Sequence, residues 1–282
     1  MTSSGAPVAG RTFLITGANT GIGLATAVAL ARDGGRVFIT SRSPAAGEAA
    51  VTRIAAESGS AGVRLLHLDL ASLASVRACA AAFLALGEPL HVLINNAGVG
   101  GQRGLTADGF ELHFGVNHLG HFALTHLLLD RLLNSGQGPR IVNVSSDAHY
   151  AAAGIDFDAA RRRTATFTGH REYAASKLCN VLFTRELARR VTGVNAYALH
   201  PGVVASDIWR RVPSLARPFL TRRMLTTEQG SVTSVHCATS AAAAADNGLF
   251  YDQCAVREPS QAATSELAEL LWKRSAEWTG LG

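Results

Sequence analysis

The sequence predicts a doubly wound α/β fold, a seven-stranded, mostly parallel sheet with helices on both faces, in a single domain over residues 1–282. Three observations carry that expectation. Short apolar runs alternate with longer Ala-rich or amphipathic runs along the chain. The short runs are apolar throughout rather than at every second residue, as strands are when helices cover both faces. The first of them ends in glycines that open a helix. Composition agrees, because 48% of the residues are hydrophobic and only 17% are charged, which excludes a disordered or polyelectrolyte chain.

Taken in order, a strand over Thr12 to Thr16 leads into a buried helix over Ile22 to Ala31. Val37 to Thr40 is followed by a helix from about Ala45, Val63 to Leu68 by one from about Leu73, and Val92 to Ile94 by one from about Asp108. Strands over Ile141 to Val144 and Val194 to Leu199 flank a helix from about Arg171 to Arg190. Residues 203–225 hold Pro213 and Pro218 and read as an irregular lid. An Ala-rich helix ending near Gly248, a seventh strand over Leu249 to Tyr251 and an amphipathic tail over Ser265 to Trp278 complete the chain. The run Ala241 to Ala245 reads as a helix end, since alanine has the best helix propensity.

The net charge of +5 is a mild basic excess, so the placement of the charges must decide what it means. Arg161 to Arg163, Arg210-Arg211 and Arg222-Arg223 have few aromatics between them and read as solvated loop faces rather than a nucleic-acid groove. Leu215, Phe219 and Leu220 alternate with Arg217, Arg222 and Arg223, a pattern that leaves weak peripheral membrane contact or an acidic substrate open. The four cysteines are widely spaced and read as buried reduced thiols. His118, His121 and His126 share one helix without carboxylate or thiolate ligands at metal spacing, so packing or substrate-edge roles are expected and no metal. With no apolar run near the ~18 residues that span a bilayer, and no signal-like start, a soluble cytoplasmic protein is expected.

Gly17, Gly21 and Gly23 stand between the first strand and its helix, in Gly17-Ala18-Asn19-Thr20-Gly21-Ile22-Gly23. Such a turn lets the backbone approach a pyrophosphate, whose charge the free amides and dipole of the helix N-terminus attract. About twenty residues on, where a carboxylate would hold the ribose 2′-hydroxyl of NAD, stand Ser41 and Arg42. A guanidinium there suits a 2′-phosphate, so NADP(H) is expected, with NAD(H) as the secondary dinucleotide.

Tyr173 and Lys177 lie four apart in a helical stretch and so share a face. A lysine ammonium beside a phenol lowers its pKa towards the range useful to a general acid/base, and hydride transfer to a carbonyl needs such a proton. Ser145-Ser146 and Asn95-Asn96-Ala97-Gly98 end two strands at the edge where doubly wound sheets bind ligands. Asn117, polar within an apolar helix, is expected to have a buried hydrogen-bonding task.

In order and over nearly the whole chain, Thr16 to Gly23, Asn95 to Gly98, Ser146, the Tyr173 to Lys177 spacing and Pro201-Gly202 resemble the short-chain dehydrogenase/reductase family, whose domain is a Rossmann fold. The resemblance implies a tetrad. Tyr173 would donate and accept the proton, and Lys177 would hold the nicotinamide ribose and depress the tyrosine. Ser146, preferred to Ser145, would position the substrate oxygen, and Asn117 would support a water relay. It further implies that Asp69, with Leu70, contacts adenine, that Asn95, Ala97 and Gly98 lie beside the cofactor, and that Pro201, Gly202, Val204 and Ser206 hold the carboxamide end. The long spacing between Ser146 and Tyr173 implies a substrate insertion at about 147–172. That spacing, the run Asn117-His118-Leu119-Gly120-His121-Phe122 and the chain ending resemble the retinol dehydrogenase-like branch, without its membrane anchor.

The function implied is a carbonyl reductase or alcohol dehydrogenase for a hydrophobic aldehyde, ketone or secondary alcohol. A catalytically silent NADP(H)-binding sensor or scaffold is the alternative, and the Tyr/Lys pair disfavours a methyltransferase. The helices from Asp108 and Arg171 either pair across a homodimer or face water.

Overall fold

A computed structural model of the protein describes residues 8–136, 138–204 and 224–281. Seven parallel strands, β1 (Thr12–Ile15), β2 (Arg36–Ser41), β3 (Val63–His67), β4 (Val92–Asn95), β5 (Arg140–Val144), β6 (Asn195–His200) and β7 (Leu249–Asp252), stand in the order β3-β2-β1-β4-β5-β6-β7. An eighth strand, β8 (Ala255–Val256), adds antiparallel to β7, so the sheet has eight strands where the sequence predicts seven. Its two residues are exposed and form no apolar run. The turn before it uses Gln253 and Cys254, both at positive φ (48° and 63°), the conformation that tight two-residue hairpins require.

Helices α1 (Gly21–Arg32), α2 (Pro44–Ser58) and α6 (Thr227–Thr239) pack on one face of the sheet. Helices α3 (Leu73–Ala85), α4 (Gly120–Leu133) and α5 (His170–Arg190) pack on the other. The strands are buried on both faces, which is why they read as continuous apolar runs. Because β1 pairs with β2 on one side and β4 on the other, chain order reverses there, and a crevice opens at the carboxyl ends of β1 and β4.

Two helical expectations are corrected. Asp108 does not start a helix. It lies in a turn, and its carboxylate accepts the Leu73 N–H at 2.8 Å, so it caps α3 instead. The helical run it was expected to open contains a six-residue π-helix, Phe114–Leu119, before it regularises as α4. Ala242–Ala245 is a separate 3₁₀ turn, divided from α6 by Ser240 in an extended conformation.

Helix α7 (Ser265–Thr279) packs along α5. Its Trp272 lies against Phe122 of α4 and Phe183 of α5, with ring centroids 5.3 and 6.0 Å away. Trp278 meets Phe110, Phe114 and Phe157. Burying such a side chain contributes about 1.5–3 kcal/mol, so much of the outer face of α4 and α5 is covered by the chain's own C-terminal helix and by the segment before Tyr173. Among the described residues no helix is long and apolar enough to cross a membrane.

Candidate active site

A crevice of ≈ 350 Å³ lies over β1, β4 and β5. Of the residues expected at a cofactor, it is lined by Gly17, Asn19, Thr20, Gly21, Ile22, Gly23, Ser41, Arg42, Asp69, Leu70, Ala97, Gly98, Tyr173, Lys177 and Pro201. The glycine turn is as tight as its sequence suggests. Gly17 has φ +63°, and a Cβ there would lie 2.7 Å from that of Ala97. A Cβ on Gly23 would lie 2.4 Å from Asn96 Nδ2 and 2.8 Å from the Gly17 carbonyl.

Asn96, which the sequence reading passes over, clamps this turn. Its side-chain amide donates to the carbonyls of Thr16 (2.8 Å) and Gly17 (3.3 Å). The Thr16 hydroxyl accepts the N–H groups of Asn96 (2.9 Å) and Ala97 (3.0 Å) and contacts His121 Nε2 at 2.9 Å. His121 Nδ1 faces the Asn117 carbonyl at 3.0 Å. Burial lowers this imidazole to about 4, so it is neutral, donates through Nδ1 and accepts the threonine hydroxyl at Nε2. One buried histidine therefore ties the turn to the π-helix.

Asn95 is turned away from the crevice. Its amide donates to Thr125 Oγ1 (3.0 Å) and Asn143 Oδ1 (2.8 Å) inside the sheet layer. Gly202 and Val204 do not line the crevice; Val204 bridges to Leu225 and packs over Gly230. Ser206 and most of the expected lid lie outside the described residues. Ser41 lines the crevice, yet its hydroxyl is engaged with the backbone of Ser43. Among the described residues Arg42, exposed at that end, has no such tie.

Tyr173 and Lys177 stand one turn apart on α5. Lys177 is buried, donates from Nζ to the Val144 carbonyl at 2.9 Å and lies 5.6 Å from the Tyr173 ring centroid. Burial lowers its ammonium to about 8. Burial also raises the Tyr173 phenol above its ordinary value, opposed by a hydrogen bond with the Ser146 side chain. The direction is opposite to the lowering expected from Lys177: burial of the phenol is the dominant cause. The two serines divide: Ser145 Oγ donates to the Lys177 carbonyl at 2.8 Å and fastens β5 to α5, whereas Ser146 reaches Tyr173.

Asn117 is fully buried within the π-helix. Its amide accepts from Val99 N–H (2.8 Å) and donates to the Val99 carbonyl (3.0 Å) and the Ser176 hydroxyl (2.9 Å). It joins the loop after β4 to α5. His149 and His200, also absent from the sequence reading, brace the Ser146 segment: His149 Nδ1 meets the Ser146 carbonyl at 2.7 Å, and His200 Nδ1 accepts the Asp147 N–H at 3.2 Å. Among the described residues no cluster of three or more His, Cys, Asp or Glu is arranged to hold a metal.

This crevice, with its glycine turn at the sheet's switch point and Tyr173 and Lys177 on its wall, belongs to an oxidoreductase that uses a nicotinamide dinucleotide on a small molecule. Residues 11–215 match the short chain dehydrogenase family, and the chain is a member of it. It is 44% identical over 286 residues to retinol dehydrogenase 12 of Mus musculus, covering 97% of this chain and 88% of that relative. Among solved structures, an uncharacterized protein from Mycobacterium paratuberculosis superposes with a TM-score of 0.78 at 33% identity, over 99% of this chain and 98% of that one. The Pseudomonas aeruginosa RhlG/NADP active-site complex matches with a TM-score of 0.68 at 27% identity, over 86% and 96% of the two chains.

Proposed function

We propose that the protein is an NADP(H)-dependent carbonyl reductase or alcohol dehydrogenase acting on a hydrophobic aldehyde, ketone or secondary alcohol. One observation carries the reading: Tyr173 and buried Lys177, one turn apart on α5 with the ammonium 5.6 Å from the ring centroid, both line a cradle shaped for a dinucleotide. The fit of the cofactor rests on the Gly17 and Gly23 approaches, too close for any side chain, on Arg42 at the far end and on Lys177 at the near end. Bound there, the nicotinamide supplies or accepts the hydride. A 2′-phosphate would find its partner in Arg42, and the likeness to the RhlG/NADP complex supports NADP(H) as the dinucleotide.

The chain's own residues handle the proton. Tyr173, its phenol kept protonated by burial, donates to the oxygen of the reduced carbonyl and takes the proton back in the oxidative direction. Ser146, whose side chain lowers that phenol, orients the substrate oxygen towards it. Lys177 holds the nicotinamide ribose and stabilises the phenolate that forms. Asn117 keeps the α5 turn and the loop after β4 in register. The match to a retinol dehydrogenase supports a hydrophobic substrate.

Tyr173→Phe tests the assignment against a silent cofactor-binding protein. Turnover in an NADPH-linked carbonyl screen should fall by about 10²–10⁴-fold while NADPH affinity, read by fluorescence, stays unchanged. Undiminished turnover in the variant would remove the proposed role.

A further inference from the structure

A second and larger cavity, ≈ 800 Å³, lies behind α5. At about 3.6 residues per turn, Arg171, Glu172, Ala175 and Ser176 face away from the Tyr173 and Lys177 side, and no residue lines both this cavity and the crevice. Its volume falls within the range of small-molecule pockets. The walls are apolar and small, with Phe114, Ala152, Ile155, Ala160 and Ala175 among them.

Its charged groups are unevenly engaged. Glu111 accepts from Thr164, His113 and the Phe114 N–H; Glu172 accepts from Ala165 and Thr166; Asp156 accepts from Ala159. Every lining carboxylate is committed within the protein. Arg162, Arg163 and Arg171 are exposed, and among the described residues none of their guanidinium groups has a hydrogen-bond or ion-pair partner. Arg161 beside them, in contrast, is spent on the Phe110 ring and the Asp108 carbonyl. Two residues beyond the lining Ala165, Phe167 is 88% exposed, a large apolar ring held in water.

We propose that this cavity is a second ligand site for an amphipathic anion, with an acyl-like body among the alanines and a single oxyanion head, carboxylate or phosphate, at Arg162, Arg163 and Arg171. Guanidinium forks suit either head. The site communicates with the catalytic one through Ser176, which lines the cavity, accepts from Asn117 at 2.9 Å and donates to the Tyr173 carbonyl at 2.7 Å. Occupancy bears on the turn of α5 that carries the phenol.

The test is calorimetric titration of the full chain, with and without NADPH, using dodecanoate and dodecyl phosphate below their micelle concentrations, and acetate and inorganic phosphate as head groups alone. Both amphiphiles should bind one per chain and the bare heads should not. The tighter of the two identifies the head. Arg162→Ala/Arg163→Ala/Arg171→Ala should weaken binding by about tenfold or more, and Ala153→Trp, which fills the mouth and keeps the charge, should weaken it too. A saturating carbonyl substrate should alter the affinity, by the reciprocity of coupled sites, yet leave one amphiphile bound per chain. No binding, binding unaltered in both variants, displacement by carbonyl substrate or NADPH, or binding only to micelles or vesicles would each overturn the proposal.

Discussion

The ammonium nitrogen of Lys177 and the carbonyl oxygen of Val144 meet at 2.9 Å, where β5 delivers Ser145 to the crevice. The charge is thereby pinned to the strand end, beneath the Tyr173 ring, rather than free to follow solvent. Burial has the larger effect and brings the amine to about 8, within reach of ordinary assay conditions.

A basic limb in the reductive pH profile follows. Lys177 is protonated below about 8 and neutral above it, while Tyr173, raised by burial, remains a proton donor throughout that window. The fall in kcat/KM above this pH, at most about tenfold per pH unit, therefore reports the lysine. Lys177→Arg, whose cation does not titrate here, should retain a lowered but flat profile. A wild-type profile that stays level to about pH 10 would contradict this account.

Arg42 sets the second prediction. It is the exposed cation at the β2 end of the crevice, while the neighbouring Ser41 hydroxyl is occupied by Ser43. Arg42→Ala should raise KM for NADPH by about 10-fold to 100-fold, the worth of a charge-assisted hydrogen bond, and leave KM for NADH nearly unchanged. Steady-state kinetics with both dinucleotides reads the ratio, and an unaltered ratio assigns the preference elsewhere.

What the sequence made legible follows from the physics of each part. The parallel strands are covered on both faces, so their apolar runs give β1 to β7 to within about a residue or two; exposed two-residue β8 has no such signature. The glycine turn is a local motif, and all its residues but the buried Ala18 reach the crevice. Asn95 and Asn96 are adjacent, and only the pleat of β4 decides which of them faces the ligand edge. The extra residue per turn of the π-helix around Asn117 leaves no mark on an apolar periodicity. His149, His200 and the cavity behind α5 depend on how distant segments fold back, which spacing along the chain does not encode.

Gly23 is a third place where geometry dictates an outcome. Its missing side chain admits the Asn96 amide, and a Cβ would stand 2.4 Å from that nitrogen. Gly23→Ala should force Asn96 off the Thr16 and Gly17 carbonyls, open the turn and abolish measurable NADPH binding, with a loss of stability of about 1–3 kcal/mol from overpacking. Fluorescence titration together with a thermal melt separates the two effects; retained NADPH affinity would show that the clamp is dispensable.

Acid should destabilise the protein through its buried histidines, His118 and His121 foremost. Burial lowers His118 to about 3 and His121 to about 4, so both are neutral in the folded state where the unfolded chain titrates near the ordinary 6.5. Below 6.5 the unfolded state binds protons that the folded state refuses, and stability falls as pH drops, by up to about 1.4 kcal/mol per pH unit for each residue. Above 6.5 neither contributes a slope. His118 sits among Phe114, Phe122 and Phe183, with Nε2 2.8 Å from Ser275 Oγ. His118→Gln keeps a polar partner for that hydroxyl and removes one titration. Its stability at neutral pH should drop through poorer packing, yet the slope of unfolding free energy between about pH 6 and about pH 4.5 should shrink by up to about 1.4 kcal/mol per pH unit, the share of one histidine. Urea titrations across that interval measure the slope, and equal slopes in variant and wild type would place the acid sensitivity on other groups.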